Sequence, residues 1–121
     1  MTDYIELHCH SNFSLLDGAS HPEELAARAA ELGLPALTLT DHDAVYGAIR
    51  FVDAARAHNL HPILGVELSL AGGHHLTLLA ENSAGWHNLC ALITAARQHA
   101  PKGQAALPYV VLREHTHGLI A

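Results

Sequence analysis

AARAAELGLPALTLTD (residues 26–41) and AARAHNLHPILGVE (residues 54–67) follow one pattern. Each carries the end of a helix, a leucine-containing turn, a proline, an apolar strand and a closing acid. Helix alternating with apolar strand at this spacing marks successive βα units, so the chain reads as α/β with a parallel sheet or barrel. The acids fall just after the strands, at their carboxyl ends, the edge where such folds assemble their chemistry. Asp41, His42 and Glu67 are thereby placed on a functional rim.

Working outward, DYIELH (3–8) reads as a short strand. GASHPEELAARAAELG (18–33) reads as a helix, with Ser20 and Glu23 in an S-x-x-E capping box, Pro22 early in the first turn and Gly33 closing the helix. PALTLT (35–40) is a buried strand. AVYGAIRFVDAARAHN (44–59) has apolar residues recurring at three and four, a helical period. PILGVELSL (62–70) is the third strand. AGG (71–73) is turn chemistry, and HHLTLLA (74–80) is a fourth strand that returns as a hairpin partner. NSAGWHNLCALITAARQH (82–99) is a third helix and APKGQAALP (100–108) a loop. YVVLREHTHG (109–118) does not declare itself, and GLIA (118–121) has the look of another strand opening. A complete (β/α) barrel takes about 200 residues or more. With 121 residues, the expectation is one domain, either a smaller open sheet or the front part of a longer fold.

Half of the residues are apolar and 15% are charged, a globular composition. No apolar run approaches the roughly 18 residues of a membrane span, and MTDYIEL shows no signal-peptide pattern, so a cytoplasmic protein is expected. Six basic residues face twelve acidic ones. The net charge of −6 argues against an electrostatic nucleic-acid surface on this segment. Cys9 and Cys90 sit in unlike contexts and read as separate buried thiols.

Twelve histidines are an unusual load. His21, His58, His61, His87, His99, His115 and His117 fall in or beside helices and loops and read as scattered imidazoles. The other reading concerns HCHS (8–11). His8 and His10 stand at i and i+2 of an extended segment, so both rings point one way and Cys9 the other. Two neutral imidazoles side by side favour a shared cation. Asp17 stands in LLDG, before the first helix. His42 lies in TDHD after a strand, where crowded polar groups are costly unless paired or metal-bound. Glu67 closes the apolar run of GVE, and His75 starts the returning strand close to it. Imidazole and carboxylate without thiolate favour Zn²⁺, Mn²⁺ or Fe. Two acids and four histidines exceed the needs of one tetrahedral ion. Several ions with a bridging carboxylate suit them better, and ions about 3.5–4 Å apart are the usual apparatus of phosphate-ester hydrolysis.

HCHS…LLDG, LTLTDHDAVYGA, ILGVE and HLTLLAENSAGWHNLCALI together resemble the PHP (polymerase and histidinol phosphatase) domain. The last block, with GASHPEELAARAAELGLPALTLTDH, is similar to the version found at the N-terminus of bacterial C-family DNA polymerases of the polymerase III α type. APKG resembles the error-prone branch. The likeness covers essentially residues 1–121. It implies the N-terminal part of a distorted (β/α)7 barrel, truncated after four to five strands, with a trinuclear metal site at its carboxyl rim. Carried over by position, His8 and His10 would hold one ion, Asp17 and His42 another, Glu67 would bridge, and His75 would complete a third set. His8, His10 and Glu67 are the residues this implies for catalysis. Further ligands come from later strands in the family and are absent here, which leaves hydrolysis by this chain alone undecided; the polymerase's palm carboxylates are absent too, so polymerisation by it is not expected.

The leading reading is thus a PHP segment of an error-prone-type polymerase with a metal-dependent phosphoesterase or 3′–5′ exonuclease site. Its partners would be the rest of that polymerase and, through it, DNA, with no membrane. One alternative is a free-standing phosphatase of the histidinol-phosphatase type, against which HLTLLAENSAGWHNLCALI argues. The other is a metal-binding structural module without turnover. A half barrel would expose raw sheet edges, so self-association of the chain is expected.

Overall fold

The computed structural model describes residues 3–121. The chain divides into two compact units, Met1–Asp41 with Val45–Leu64, and His42–Ala44 with Gly65–Ala121.

In the first unit, helix α1 (Pro22–Glu31) and helix α2 (Ala48–Ala57) pack on one another and on strand β1 (Ala36–Leu39). Their buried residues explain why. Pro22, Ala26 and Ala29 line one face of α1, and Ala48, Phe51 and Ala55 one face of α2. Those spacings of three and four make a narrow apolar stripe, and small alanines let the helices approach. All four residues of β1 are buried, as in a strand covered on both faces. β1 pairs in parallel with the first half of strand β2 (His61–Ser69), in the register Ala36↔His61 to Leu39↔Leu64.

Two expectations are corrected in this unit. DYIELH is not a strand: it contributes a single parallel bridge, Glu6↔Leu37. Thr38 N donates to Glu6 O at 3.1 Å, and just beyond this stretch Thr40 N donates to Cys9 O at 2.8 Å. The Thr40 hydroxyl takes the place of a ladder carbonyl by accepting from Cys9 N at 3.0 Å. The first helix begins one residue later than its S-x-x-E pattern suggests. His21 is the N-cap, and its amide donates to Glu24 Oε2 at 2.7 Å. Pro22 decides this, because a residue without an N–H is best placed at the first helical position. Glu23 is then free to face Arg50. Gly33 does close α1, with φ of 72°. α2 is shorter than its periodicity, since residues 46–47 form a turn ahead of it.

In the second unit, the other half of β2 pairs antiparallel with strand β3 (His75–Ala80), from Gly65↔Leu79 to Ser69↔His75. Gly72 and Gly73, at φ of 96° and 87°, make the intervening turn. β3 pairs antiparallel with strand β4 (Leu119–Ile120). The strand pairing is therefore mixed rather than parallel, because a tight hairpin joins only antiparallel strands. Helix α3 (Ser83–Gln98) packs on β3, β4 and helix α4 (Tyr109–Arg113). Its buried residues are Gly85, Leu89, Leu92 and Ala96. Asn82 caps it, accepting from Gly85 N at 3.0 Å. The undeclared stretch 109–118 holds the short helix α4, and GLIA does open a strand.

Candidate metal centre

Three of the expected ligands lie in each unit. In the first, His8 and His10 lie on the extended segment beside β1. Their ring centroids are 5.2 Å apart and nearly perpendicular. Cys9 between them packs against the core formed by Phe51, Leu37, Leu39 and their neighbours. Burial, followed by the charges of Glu6 and Asp41, pushes its thiol up to about 11. Cys9 is therefore a protonated packing group at neutral pH, not a thiolate donor.

Asp17 reaches His10 through a tight loop, its Oδ2 lying 2.8 Å from His10 Nδ1. The loop is built on Asp41, which is 1% exposed. The Asp41 carboxylate accepts from Ser11 N, Ser11 Oγ and Ser14 Oγ, each at 2.7 Å. Three donors satisfy a buried carboxylate that would otherwise be expensive. Ser14 O then accepts from Asp17 N at 3.0 Å and Gly18 N at 2.9 Å, which sets Asp17 at the end of the turn. Asp41 does stand at the end of β1 as expected, but its role is to anchor the loop that carries Asp17.

In the second set, His42, Glu67 and His75 converge. His42 Nδ1 is 2.6 Å from Glu67 Oε2, and His75 Nδ1 is 3.9 Å from the same oxygen. The His42 and His75 rings are 5.6 Å apart. Strand geometry explains the meeting. His75 is registered opposite Ser69, Ser69 shares a face of β2 with Glu67, and cross-strand partners project to the same side. His42 joins through an isolated parallel bridge to Glu67. One donor atom from each residue lies within 4.8 Å of the others, and Glu67 is 8% exposed. Two imidazoles and one carboxylate at such spacing can hold a divalent ion and match the donor preferences of Zn²⁺, Mn²⁺ and Fe.

Two of the remaining histidines hydrogen-bond locally. His99 Nδ1 meets Ala95 O at 2.7 Å, and His115 Nδ1 meets Val111 O at 2.9 Å. Sequence reasoning missed Asp43 and Arg97. Arg97 Nε and Nη2 donate to Asp43 O at 3.2 and 2.9 Å, and the Asp43 carboxylate binds Ser69. The second acid of TDHD was the available signal, but nothing in the sequence links it to a residue in α3.

Comparison with known proteins agrees with this frame. A family model described as PHP domain matches residues 6–121. An error-prone DNA polymerase of Pseudomonas aeruginosa is 47% identical over 100% of this chain and 12% of its own length. One of Symbiobacterium thermophilum is 46% identical over 98% of this chain, again 12% of its own length. The chain thus spans a small part of these relatives. Among solved structures, an amidohydrolase from Chromobacterium violaceum, with bound sulfate and no metal, matches with a TM-score of 0.63 at 35% identity. The match covers 78% of this chain and 33% of that one. With its α/β fold and a family match that runs from Glu6 to Ala121, the chain belongs to the PHP domain family.

Proposed function

We propose that His8, His10, Asp17, His42, Glu67 and His75 are metal ligands, and that the chain serves metal-dependent phosphoester hydrolysis as the PHP part of an error-prone-type DNA polymerase. The observation that carries this is the meeting of His42, Glu67 and His75 around the nearly buried Glu67 carboxylate. His42, Glu67 and His75 would hold a Zn²⁺, Mn²⁺ or Fe ion, which would supply an acidified water and neutralise charge on phosphoryl oxygens. The chain's own part is positioning. Glu67 offers a carboxylate suited to bridging, and His42 and His75 flank it. Asp17 orients the His10 ring through Nδ1. Partners follow from the relatives: the rest of a polymerase chain and, through it, DNA. With twelve acidic residues against six basic ones, the chain's own surface is not the DNA grip. No helix among the described residues is long and apolar enough to cross a membrane, and a cytoplasmic setting suits a polymerase. The relatives named as error-prone polymerases weigh against the free-standing histidinol-phosphatase reading.

The test is metal content of the purified chain beside His8→Ala and Glu67→Ala. Both variants are expected to lose metal. Unchanged stoichiometry in both removes the proposed ligand set. Hydrolysis of a generic phosphodiester by the full-length parent separates catalysis from a structural metal role.

A further inference from the structure

Asp43, the residue after His42, has all three of its polar groups engaged. Its amide donates to Glu67 O at 3.0 Å. Its carboxylate accepts from Ser69 N and Ser69 Oγ, both at 2.7 Å. Its carbonyl accepts two bonds from the Arg97 guanidinium, at 3.2 and 2.9 Å. Its φ of 50° lies in the left-handed region, which a residue with a side chain enters rarely. A planar fork directed at one neutral carbonyl across 54 residues of sequence is an unusual use of an arginine. The residues gripped are those around the candidate metal set: Glu67 and Ser69 of β2, with Ser69 registered opposite His75. Ser69 is fixed from its other side too, its carbonyl accepting from Leu107 N at 2.9 Å.

We propose that Arg97, Asp43 and Ser69 are positioning residues that hold the His42 imidazole against Glu67, so that the His42–Glu67–His75 donors are set before an ion arrives. The idea deepens the metal-ligand reading and rests on it only for its metal readout. Groups that orient ligands without touching the ion commonly change metal affinity by about ten- to a hundredfold. Arg97→Gln removes both donors to the Asp43 carbonyl. Asp43→Asn keeps a residue that tolerates the left-handed backbone but weakens the grip on Ser69.

The experiment uses the whole chain and two readouts. Long-range ¹H–¹⁵N spectra of the His42 ring are recorded without metal, and Mn²⁺ affinity is measured by electron paramagnetic resonance. In Arg97→Gln and Asp43→Asn, the ring signals should move toward those of a free, tautomer-averaged imidazole. Mn²⁺ affinity should fall by about tenfold or more, with Arg97→Lys recovering part of it. Leu92→Ala, which weakens packing in the same helix without touching the lock, should leave both readouts in place. Unchanged ring signals in Arg97→Gln and Asp43→Asn overturn the proposal. So does a loss of Mn²⁺ affinity in Leu92→Ala equal to that in Arg97→Gln, because Arg97 would then act only through stability. Failure of the unsubstituted chain to take up Mn²⁺ would sink the metal reading instead, while the metal-free spectra still decide the lock.

Discussion

His42 and Glu67 are joined twice, by a backbone bridge and by side-chain atoms 2.6 Å apart. The double link means that the imidazole and the carboxylate cannot drift apart without disturbing the end of β2. Glu67→Gln keeps the size of the side chain and removes its charge. It should bind Mn²⁺ at least tenfold more weakly than the unsubstituted chain, with the fold retained by circular dichroism. Undiminished affinity would count against Glu67 as a ligand.

Asp41 predicts a stability effect in place of a metal effect. Asp41→Ala leaves the Ser11 amide and the Ser11 and Ser14 hydroxyls without their acceptor, in a site where Ser11 and Asp41 are essentially inaccessible. Each buried donor left unpaired costs about 1–3 kcal/mol. Urea unfolding should therefore show a loss of at least about 3 kcal/mol, with Ser14→Ala losing only part of it.

Gly18 tests the loop that carries Asp17. A Cβ at Gly18 would fall 2.0 Å from the Ser11 carbonyl oxygen, so no side chain fits without moving that backbone. Gly18→Ala should displace Asp17 from His10, visible as a change in the His10 ring resonances. An unperturbed His10 spectrum would mean that the loop has more freedom than its hydrogen bonds suggest.

Phe51 is fully buried in the core of the first unit, against Ala26, Ala29, Leu37 and Leu39. Phe51→Ala should lower stability by about 3–5 kcal/mol through lost burial and the cavity left behind. Denaturant titration checks it, and a loss near zero would mean the site collapses or was never tightly packed.

Glu23 and Arg50 predict a small pH dependence. Hydrogen bonds from Arg50 hold the Glu23 carboxyl below its usual value of 4.5. A depressed folded value means the pair stabilises above the unfolded value and loses this as pH falls through the folded one. Both side chains are about half exposed, so screening keeps the effect small. Glu23→Gln should lower the melting temperature slightly at pH 7 and less at a pH low enough to protonate Glu23 in the folded chain. An equal change at both would show that the charge is not involved.

The elements that depend on local pattern were legible in the sequence. The periodicity of α1, α2 and α3, the glycine at the end of α1 and the glycine turn between β2 and β3 all act over a few residues. The PHP likeness was legible for the same reason, since its motifs are short and ordered along the chain. His75 could be placed beside Glu67 because a hairpin fixes which cross-strand residues meet. What tertiary structure alone decided is how each group is used. Asp41 lies between two threonine- and histidine-bearing positions of one short motif, yet it turns inward to Ser11 and Ser14. Asp43, two residues on, grips Ser69 and takes Arg97 from helix α3. DYIELH has the composition of a strand but makes only one bridge among the described residues, and just past it the Cys9 amide goes to the Thr40 hydroxyl in place of a ladder carbonyl. Hydrogen bonds between residues 26 to 54 positions apart leave no periodic trace in a sequence. They depend on which backbone groups each fold leaves unsatisfied, and only the assembled chain determines that.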